Sequence, residues 1–193
     1  MGTDDNIQRL NLFASLDMLG RPLDHQARDG KLGPVHERAG IVGRVYTFLR
    51  ARSPVLLVGE PGAGKTAVAE SVALRMVRSP SEDFPWKRIV ETNSTRLTNG
   101  CLYVGNLENK ILEMFKNCEK EKAILVIDDL HLALGAHTSS ADPMSDMATI
   151  VASAFPMGTE SCVLATTTPE GYRSLEKLQP SLVQRFVRVD VPP

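Results

Sequence analysis

The eight residues from Gly59 to Thr66 read Gly-Glu-Pro-Gly-Ala-Gly-Lys-Thr, and their types and spacing fit a loop that binds phosphate. Glycines let such a loop wrap around an anion with its N–H groups pointing inward, and the N-terminus of a following helix adds partial positive charge. Lys65 would neutralise β- and γ-phosphate oxygens, and Thr66 would place its hydroxyl on Mg²⁺. The pattern therefore predicts a nucleoside triphosphate site. The residues expected to contact the nucleotide are Pro61, Gly62, Ala63, Gly64, Lys65, Thr66 and Ala67.

Two carboxylates follow an apolar run further along the chain. The run from Ala123 to Ile127 is typical of a buried strand, and Asp128 and Asp129 come directly after it. Acidic residues at the carboxyl end of a parallel strand face the crevice in which ligands bind. We therefore expect Asp128 to hold Mg²⁺ together with Thr66, and Asp129 to orient the water that attacks the γ-phosphate. The alternative is a strand that simply ends in two solvated acids.

The elements that would position these residues alternate between strand and helix. Apolar runs predict strands at Val55 to Val58, Arg88 to Thr92, Ala123 to Ile127, Cys162 to Thr166 and Phe186 to Val191. Helical periodicity is found at Ile7 to Leu19, Ile41 to Leu49, Ala67 to Arg78, Leu107 to Cys118 and Met144 to Phe155. The Gly- and Pro-containing stretch Gly20 to Pro34 is expected to lie across the surface. The alternation predicts a doubly wound parallel sheet of five strands. Together with the phosphate-binding motif, it indicates an α/β fold of the P-loop NTPase type, a three-layer αβα sandwich.

Composition and charge narrow the function classes. The chain has 193 residues, enough for one compact domain, and its formal net charge of −1 provides no basic field for nucleic acid. Cys101, Cys118 and Cys162 are widely spaced, which suggests neither a disulfide framework nor a zinc site. No run approaches the roughly 18 apolar residues that span a bilayer, and the first residues do not resemble a signal peptide. We therefore expect a cytoplasmic protein with no nucleic-acid or membrane partner.

From Leu19 onward the chain resembles the first ATPase module of the Clp/heat-shock disaggregases, which are AAA+ proteins related to ClpA, ClpB and ClpC. The shared motifs occur in the family's order, and the two site motifs correspond to its Walker A and Walker B sequences. The resemblance implies an AAA+ large subdomain at 37–193, preceded at 1–36 by an N-terminal helix and a leader strand or loop that contributes to the nucleotide pocket. The residues that carry it are Gly20 to Leu23, Gly30 to Val35, Pro54 to Glu70, Leu102 to Gly105, Ile127 to His131, Leu134 to Ala136, Ala165 to Thr167, and Arg185 with Phe186.

The resemblance also implies roles for four single residues. Val35 lies where the adenine is usually packed, and Thr167 looks like the sensor of the γ-phosphate. Arg185 resembles the arginine finger, whose guanidinium stabilises transition-state charge on the nucleotide of a neighbouring subunit. Tyr103 resembles the pore-loop aromatic that grips polypeptide in the central channel of a ring. The catalytic set implied in this way is Lys65, Asp129, Thr167 and Arg185.

By the same resemblance, the chain is the ATP-binding core of an ATPase that remodels or unfolds proteins in an oligomeric ring. Its partners would be ATP, with Mg²⁺ as cofactor, and an unfolded or misfolded protein. The full-length protein would form a hexamer, whereas this chain alone is expected to be monomeric. The family continues after the fifth strand into a helical lid, so a chain that ends at Pro193 is expected to lack that subdomain.

Several positions depart from the family pattern. Asp129 stands where the family has Glu, and Gln184 stands where the family usually has a second arginine before Arg185. Leu102 and Val104 replace the basic residues that flank the pore aromatic. These departures favour an alternative, a nucleotide-binding scaffold or regulatory module with weak or no hydrolysis. A DNA loader would need a basic DNA-binding element, and a GTPase would need an Asn-Lys-x-Asp run; the sequence contains neither.

Overall fold

A computed structural model describes residues 16–33, 38–98, 104–133 and 162–193. Its centre is a six-stranded sheet with the strand order β1-β3-β4-β5-β2-β6. The strands are β1 (Arg21–Pro22), β2 (Val55–Val58), β3 (Arg88–Asn93), β4 (Ala123–Asp128), β5 (Cys162–Thr167) and β6 (Val187–Asp190). Strands β2 to β6 are mutually parallel, and β1 pairs with β3 in the antiparallel direction. The predicted five-stranded parallel sheet is therefore confirmed, with one short strand added at its border.

Helices cover both faces of this sheet. They are α1 (Leu16–Leu19), α2 (Leu23–Arg28), α3 (Ala39–Arg50), α4 (Lys65–Arg78), α5 (Ser94–Thr98), α6 (Val104–Lys120), α7 (Leu130–Ala133), α8 (Pro169–Leu178) and α9 (Pro180–Val183). Successive strand residues point to opposite faces, so each strand contributes to two apolar cores. In β2, Leu56 and Val58 pack in a core with α1, α6 and α8, whereas Val55 and Leu57 pack in a second core with α2, α3 and α4. These two cores confirm the predicted αβα sandwich.

The expectation that the leader stretch Gly20 to Pro34 lies across the surface is wrong. The stretch contains β1 and α2. Leu23 and Ala27 of α2 are buried in the core that contains α4, and the buried carboxylate of Asp24 accepts a hydrogen bond from Arg88 Nε at 2.9 Å. Because a helix of 6 residues shows too little periodicity to be recognised, the breaking residues around it dominate the prediction.

The two border strands of the sheet are both short. The first, β1, has two residues, one of which is Pro22. At the other border, β6 alternates apolar residues with Arg188 and Asp190, whose exposed side chains form an ion pair at 2.7 Å. Neither border of the described sheet therefore presents a long apolar strand.

Some predicted elements lie outside the described residues. They are the helix Met144 to Phe155 and the first part of the helix Ile7 to Leu19, of which only α1 is described. The boundary between units 1–36 and 37–193 also falls there and stays a prediction. Among the residues that the structure does describe, no helix combines the length and apolarity needed to cross a membrane.

Candidate functional site

The phosphate-binding loop, residues Gly59 to Thr66, joins the end of β2 to the start of α4. Gly62 and Gly64 have φ values of 81° and 84°, a left-handed conformation that side chains rarely adopt, which explains two of the glycines. Helix α4 begins at Lys65, two residues before the predicted start at Ala67. Lys65 and Thr66 therefore lie in its first turn. Gly64, which precedes the helix, has no side chain to cap it. The first N–H groups of this 14-residue helix therefore have no side-chain cap and are available to an anion held by the loop.

Lys65 is held by its own loop in this structure. Its Nζ donates to the backbone oxygens of Gly59 at 2.8 Å and Glu60 at 3.0 Å. The side chain is mostly buried, and these two acceptors are neutral carbonyls. An ammonium group whose charge is solvated by carbonyl dipoles keeps its attraction for an anion. Lys65 is thus prepared to exchange these carbonyls for phosphate oxygens.

The acidic pair lies at the carboxyl end of β4, on the same C-terminal edge of the sheet as the loop. Asp128 is the last residue of the strand, and Asp129 adopts the left-handed φ of 49° where the chain turns into α7. A buried threonine of the adjacent strand touches both. The Thr166 hydroxyl donates to Asp128 Oδ1 at 2.7 Å and accepts from the Asp129 N–H at 2.9 Å.

These elements open onto one cavity of about 610 Å³. Its lining includes most of the predicted nucleotide contacts together with Asp129: Pro61, Gly62, Gly64, Lys65, Thr66, Ala67, Glu70, Asp129, His131 and Thr168. The structure therefore brings the phosphate-binding loop and the predicted base to one place. Ala63 belongs to the same loop but is buried, and Asp128 is partly exposed beside the cavity.

An ion-paired triad borders this cavity. Arg21 of the leader donates from Nη2 to Glu70 Oε1 and from Nε to Glu91 Oε2, both at 2.7 Å. Burial raises the pKa of the Glu91 carboxyl, Arg21 counteracts this, and the negative charges of Asp128 and Glu70 raise it further. Burial lowers the pKa of Arg21, but its hydrogen bonds and ion pairs leave the net value raised. The single positive charge of Arg21 thus offsets part of the negative charge that Glu70 and Glu91 place beside the cavity.

The predicted sensor lies deeper than the cavity lining. Thr167 is fully buried, and its Oγ1 is 3.0 Å from His131 Nδ1. Its neighbour Thr168 does line the cavity and caps α8 by accepting from the Gly171 N–H at 2.9 Å. The role of Thr167 stays a prediction.

The remaining predicted site residues lie apart from the cavity or outside the described part. Arg185 is half-buried in the turn between α9 and β6 and does not line the cavity, so its role in a neighbouring subunit stays a prediction. Val35 and Tyr103 lie outside the described residues.

Sequence reasoning missed four residues at this site: Glu70, His131, Thr166 and Thr168. Two signals could have found some of them. Glu70 stands one helical turn after Thr66, which places both on one face of α4. Thr166 follows Ala165, and Ala165 is the register partner of Ile127, which precedes Asp128. Thr166 therefore stands beside Asp128 once β4 and β5 are known to be neighbours.

The chemistry of these residues fits a magnesium nucleotide. Mg²⁺ prefers oxygen ligands, and the threonine hydroxyl of Thr66 and the carboxylate of Asp128 supply them at the same edge of the sheet. A triphosphate would meet uncapped backbone N–H groups of α4 and the Lys65 ammonium. The residues present therefore fit both Mg²⁺ and a nucleoside triphosphate.

Comparison with known proteins gives the family. Residues 55–192 match the family described as ATPase family associated with various cellular activities (AAA). Chaperone protein ClpB 1 of Synechocystis sp. is 33% identical over 184 residues, which cover 93% of this chain and 20% of that protein. The chain therefore spans about a fifth of the length of this curated relative.

Solved structures with the same arrangement include two of S. cerevisiae Hsp104. The Hsp104:casein complex in its extended conformation superposes with a TM-score of 0.76 and 28% identity, covering 91% of this chain and 30% of that chain. The Hsp104-ADP complex gives a TM-score of 0.72 at 28% identity, covering 91% of this chain and 25% of that chain.

Proposed function

Because the chain belongs to the ATPase family associated with various cellular activities (AAA), we propose that it is the ATP-binding core of a Clp-like ATPase that remodels protein substrates. One observation carries the proposal. The phosphate-binding loop and Asp129 line the same cavity, at the edge of the sheet where the parallel strands end. Such a juxtaposition is what binding and hydrolysis of a nucleoside triphosphate require.

Binding of ATP rests on the loop and the first turn of α4. The backbone N–H groups and Lys65 contact the phosphates, and Val35 packs against the adenine. Thr66 and Asp128 would hold Mg²⁺, which would neutralise charge on the phosphate oxygens. One of the similar Hsp104 structures is a complex with ADP, which supports an adenine nucleotide as the ligand.

Hydrolysis rests on Asp129, which orients the attacking water. Its carboxylate is one methylene shorter than the glutamate of the Clp family. The left-handed backbone of Asp129 sets the direction in which this short side chain leaves the main chain. Thr167 senses the γ-phosphate, and Arg185 stabilises transition-state charge in a neighbouring subunit.

The substrate is an unfolded or misfolded protein. Tyr103 grips it within a hexameric ring formed by the full-length protein, and this chain alone is monomeric. Support comes from the relatives: one is named a chaperone, and one similar Hsp104 structure contains casein. We place the protein in the cytoplasm.

Asp129 also favours a second candidate function, an AAA scaffold or regulatory module that binds ATP with weak or no turnover. A reactive group misplaced by about 1 Å can reduce a rate on the order of a hundredfold. A carboxylate that is too short would leave binding intact and hydrolysis slow.

The test measures nucleotide binding first. We expect the chain to bind ATP with Mg²⁺, and Lys65→Ala to weaken binding at least about tenfold, since hydrogen bonds to charged groups contribute about 1.5–3 kcal/mol. Lys116→Ala is the matched control, because Lys116 is exposed on α6 and pairs across one turn with Glu113 at 3.1 Å. Equal affinities of wild type and Lys65→Ala would refute the proposed site.

Turnover by the full-length protein then separates the two functions. ATP hydrolysis that disappears in Lys65→Ala and increases in Asp129→Glu supports the remodelling ATPase. Binding without hydrolysis above the Lys65→Ala background, in both the wild type and Asp129→Glu, supports the scaffold.

A further inference from the structure

The hydroxyl of Thr166 contacts both members of the acidic pair. Thr166 is fully buried at the end of β5, the strand that lies between β4 and β2. Its Oγ1 is 2.7 Å from Asp128 Oδ1 and 2.9 Å from the Asp129 nitrogen. It therefore sits between the two strands whose ends carry the metal carboxylate and the phosphate-binding loop.

The two hydrogen bonds fix the direction of this hydroxyl. A hydroxyl has one hydrogen to donate, and an ionised carboxylate can only accept. The Thr166 hydrogen is therefore committed to Asp128, and its lone pairs face the N–H of Asp129. With one oxygen held, the Asp128 carboxylate cannot rotate freely about its last bond.

The second hydrogen bond acts on the backbone. Asp129 is a non-glycine residue with a φ of 49°, a left-handed conformation that side chains disfavour. The bond from its N–H to Thr166 stabilises this turn from one side, and the bond from the Leu132 N–H to the Asp129 oxygen at 2.8 Å stabilises it from the other. The turn places Asp129 on the cavity wall.

We propose that Thr166 is a positioning residue of the nucleotide site, whose single hydroxyl holds the Asp128 carboxylate for Mg²⁺ and the Asp129 backbone for water attack. This inference rests on the proposed function. Its specific consequence is that Thr166 acts on the metal-dependent part of nucleotide binding. The phosphate-binding loop, which contacts the nucleotide without metal, does not depend on it.

The experiment compares the affinity of the chain for a non-hydrolysable ATP analogue in Mg²⁺ and in EDTA. The ratio of the two affinities is the Mg²⁺ enhancement. In Thr166→Val, which keeps the shape and removes the hydroxyl, we expect the enhancement to fall about tenfold, the effect of one hydrogen bond to a charged group. The affinity in EDTA should stay near that of wild type, and Thr166→Ser should retain the enhancement.

Thr92→Val is the matched control. Thr92 is buried in β3, and its hydroxyl donates to the Leu19 oxygen at 3.2 Å rather than to either aspartate. Its loss should leave the enhancement unchanged. A Thr166→Val protein that loses affinity equally in Mg²⁺ and EDTA has only a structural defect, and that result overturns the inference.

A second readout needs no nucleotide. Hydrogen exchange of the Asp129 amide should be at least about tenfold faster in Thr166→Val than in Thr92→Val, because its acceptor is gone. Unchanged exchange contradicts the inference. If Thr166→Val does not fold, Thr166→Ser and Thr166→Ala replace it as a pair that differs only in the hydroxyl. If wild type binds no analogue in either condition, the proposed function fails, and this inference fails with it for that separate reason.

Discussion

Replacing Arg21 by Met tests the ion-paired triad that borders the nucleotide cavity. Methionine has a similar length but no charge, so both hydrogen bonds at 2.7 Å, to Glu70 and Glu91, are lost. What remains is the Glu91 carboxylate, whose side chain is only 14% exposed. Among the described residues, its Oε1 already lacks a hydrogen-bond partner. The substitution therefore leaves a largely buried charge without compensation.

The expected loss of stability follows from the exposure of each pair. Arg21 and Glu70 are 29% and 24% exposed, so their pair contributes about 0.5–1 kcal/mol. Removing one partner of a fully buried pair costs about 3–5 kcal/mol; since Arg21 is partly exposed, we take about 2 kcal/mol for Glu91. The expected total is about 2.5–3 kcal/mol. With a urea m-value of about 2 kcal/mol per M, the unfolding midpoint should fall by about 1.3 M.

The loss should depend on pH in a defined direction. Burial raises the pKa of Glu91, and Arg21 opposes this, so the substitution raises that pKa further. The folded variant then binds a proton at Glu91 more tightly than the unfolded chain does. The destabilisation should be full above the folded-state pKa of Glu91 and should decrease as the pH falls towards the unfolded value of about 4.3. Trp86 is the single tryptophan of the chain and is buried, so its fluorescence reports unfolding. Urea unfolding should be measured with it at several pH values between about pH 5 and pH 8.

Two further variants make the reasoning refutable. Arg21→Met combined with Glu91→Gln removes the uncompensated charge, so it should recover more than about 1 kcal/mol and lose the pH dependence. Arg188→Met removes the exposed pair with Asp190 and should cost less than about 1 kcal/mol. A loss in Arg21→Met no larger than in Arg188→Met, or no recovery in the double variant, would refute the argument.

Two other predictions concern buried groups near the core. A Cβ at Gly171 would lie 2.5 Å from His131 Cγ and 2.6 Å from Thr167 Oγ1. Gly171→Ala should therefore lower the free energy of unfolding in urea by about 1–3 kcal/mol. The control Gly40→Ala, at an exposed helix position with open space, should be neutral or stabilising. Burial raises the pKa of both Cys118 and Cys162 to about 12, so in a Cys101→Ser background neither thiol should react with iodoacetamide at about pH 8 until urea unfolds the chain. Rapid labelling of the folded protein would contradict this.

Local sequence pattern was sufficient to predict the phosphate-binding part of the site. The apolar run Val55 to Val58 forms β2 with the predicted bounds, and the loop after it has glycines in the left-handed conformation at positions 62 and 64. Glycine spacing and strand hydrophobicity are local properties, and they were enough to predict that Pro61, Gly62 and Gly64 to Ala67 lie together at one cavity.

The rest of the site depends on which strands are neighbours and on pairs distant in sequence. Thr166 touches Asp128 only because β5 lies beside β4, and no periodicity shows that order. Arg21 is 49 residues from Glu70 and 70 from Glu91, so only the folded chain reveals their contact. The expectation that Gly20 to Pro34 lies across the surface is wrong because β1 and α2 are too short to produce a periodic signal.

The two border strands of the described sheet are poor templates for pairing with another copy of the chain. A border strand presents unpaired N–H and C=O groups, and a long flat one can recruit strands from other molecules into amyloid-like stacks. Here one border has two residues, including Pro22, which has no N–H to offer. At the other border, pairing with a foreign strand would desolvate the charges of Arg188 and Asp190. Neither border strand of the described sheet therefore offers a long, uncharged template for pairing with another copy of this chain.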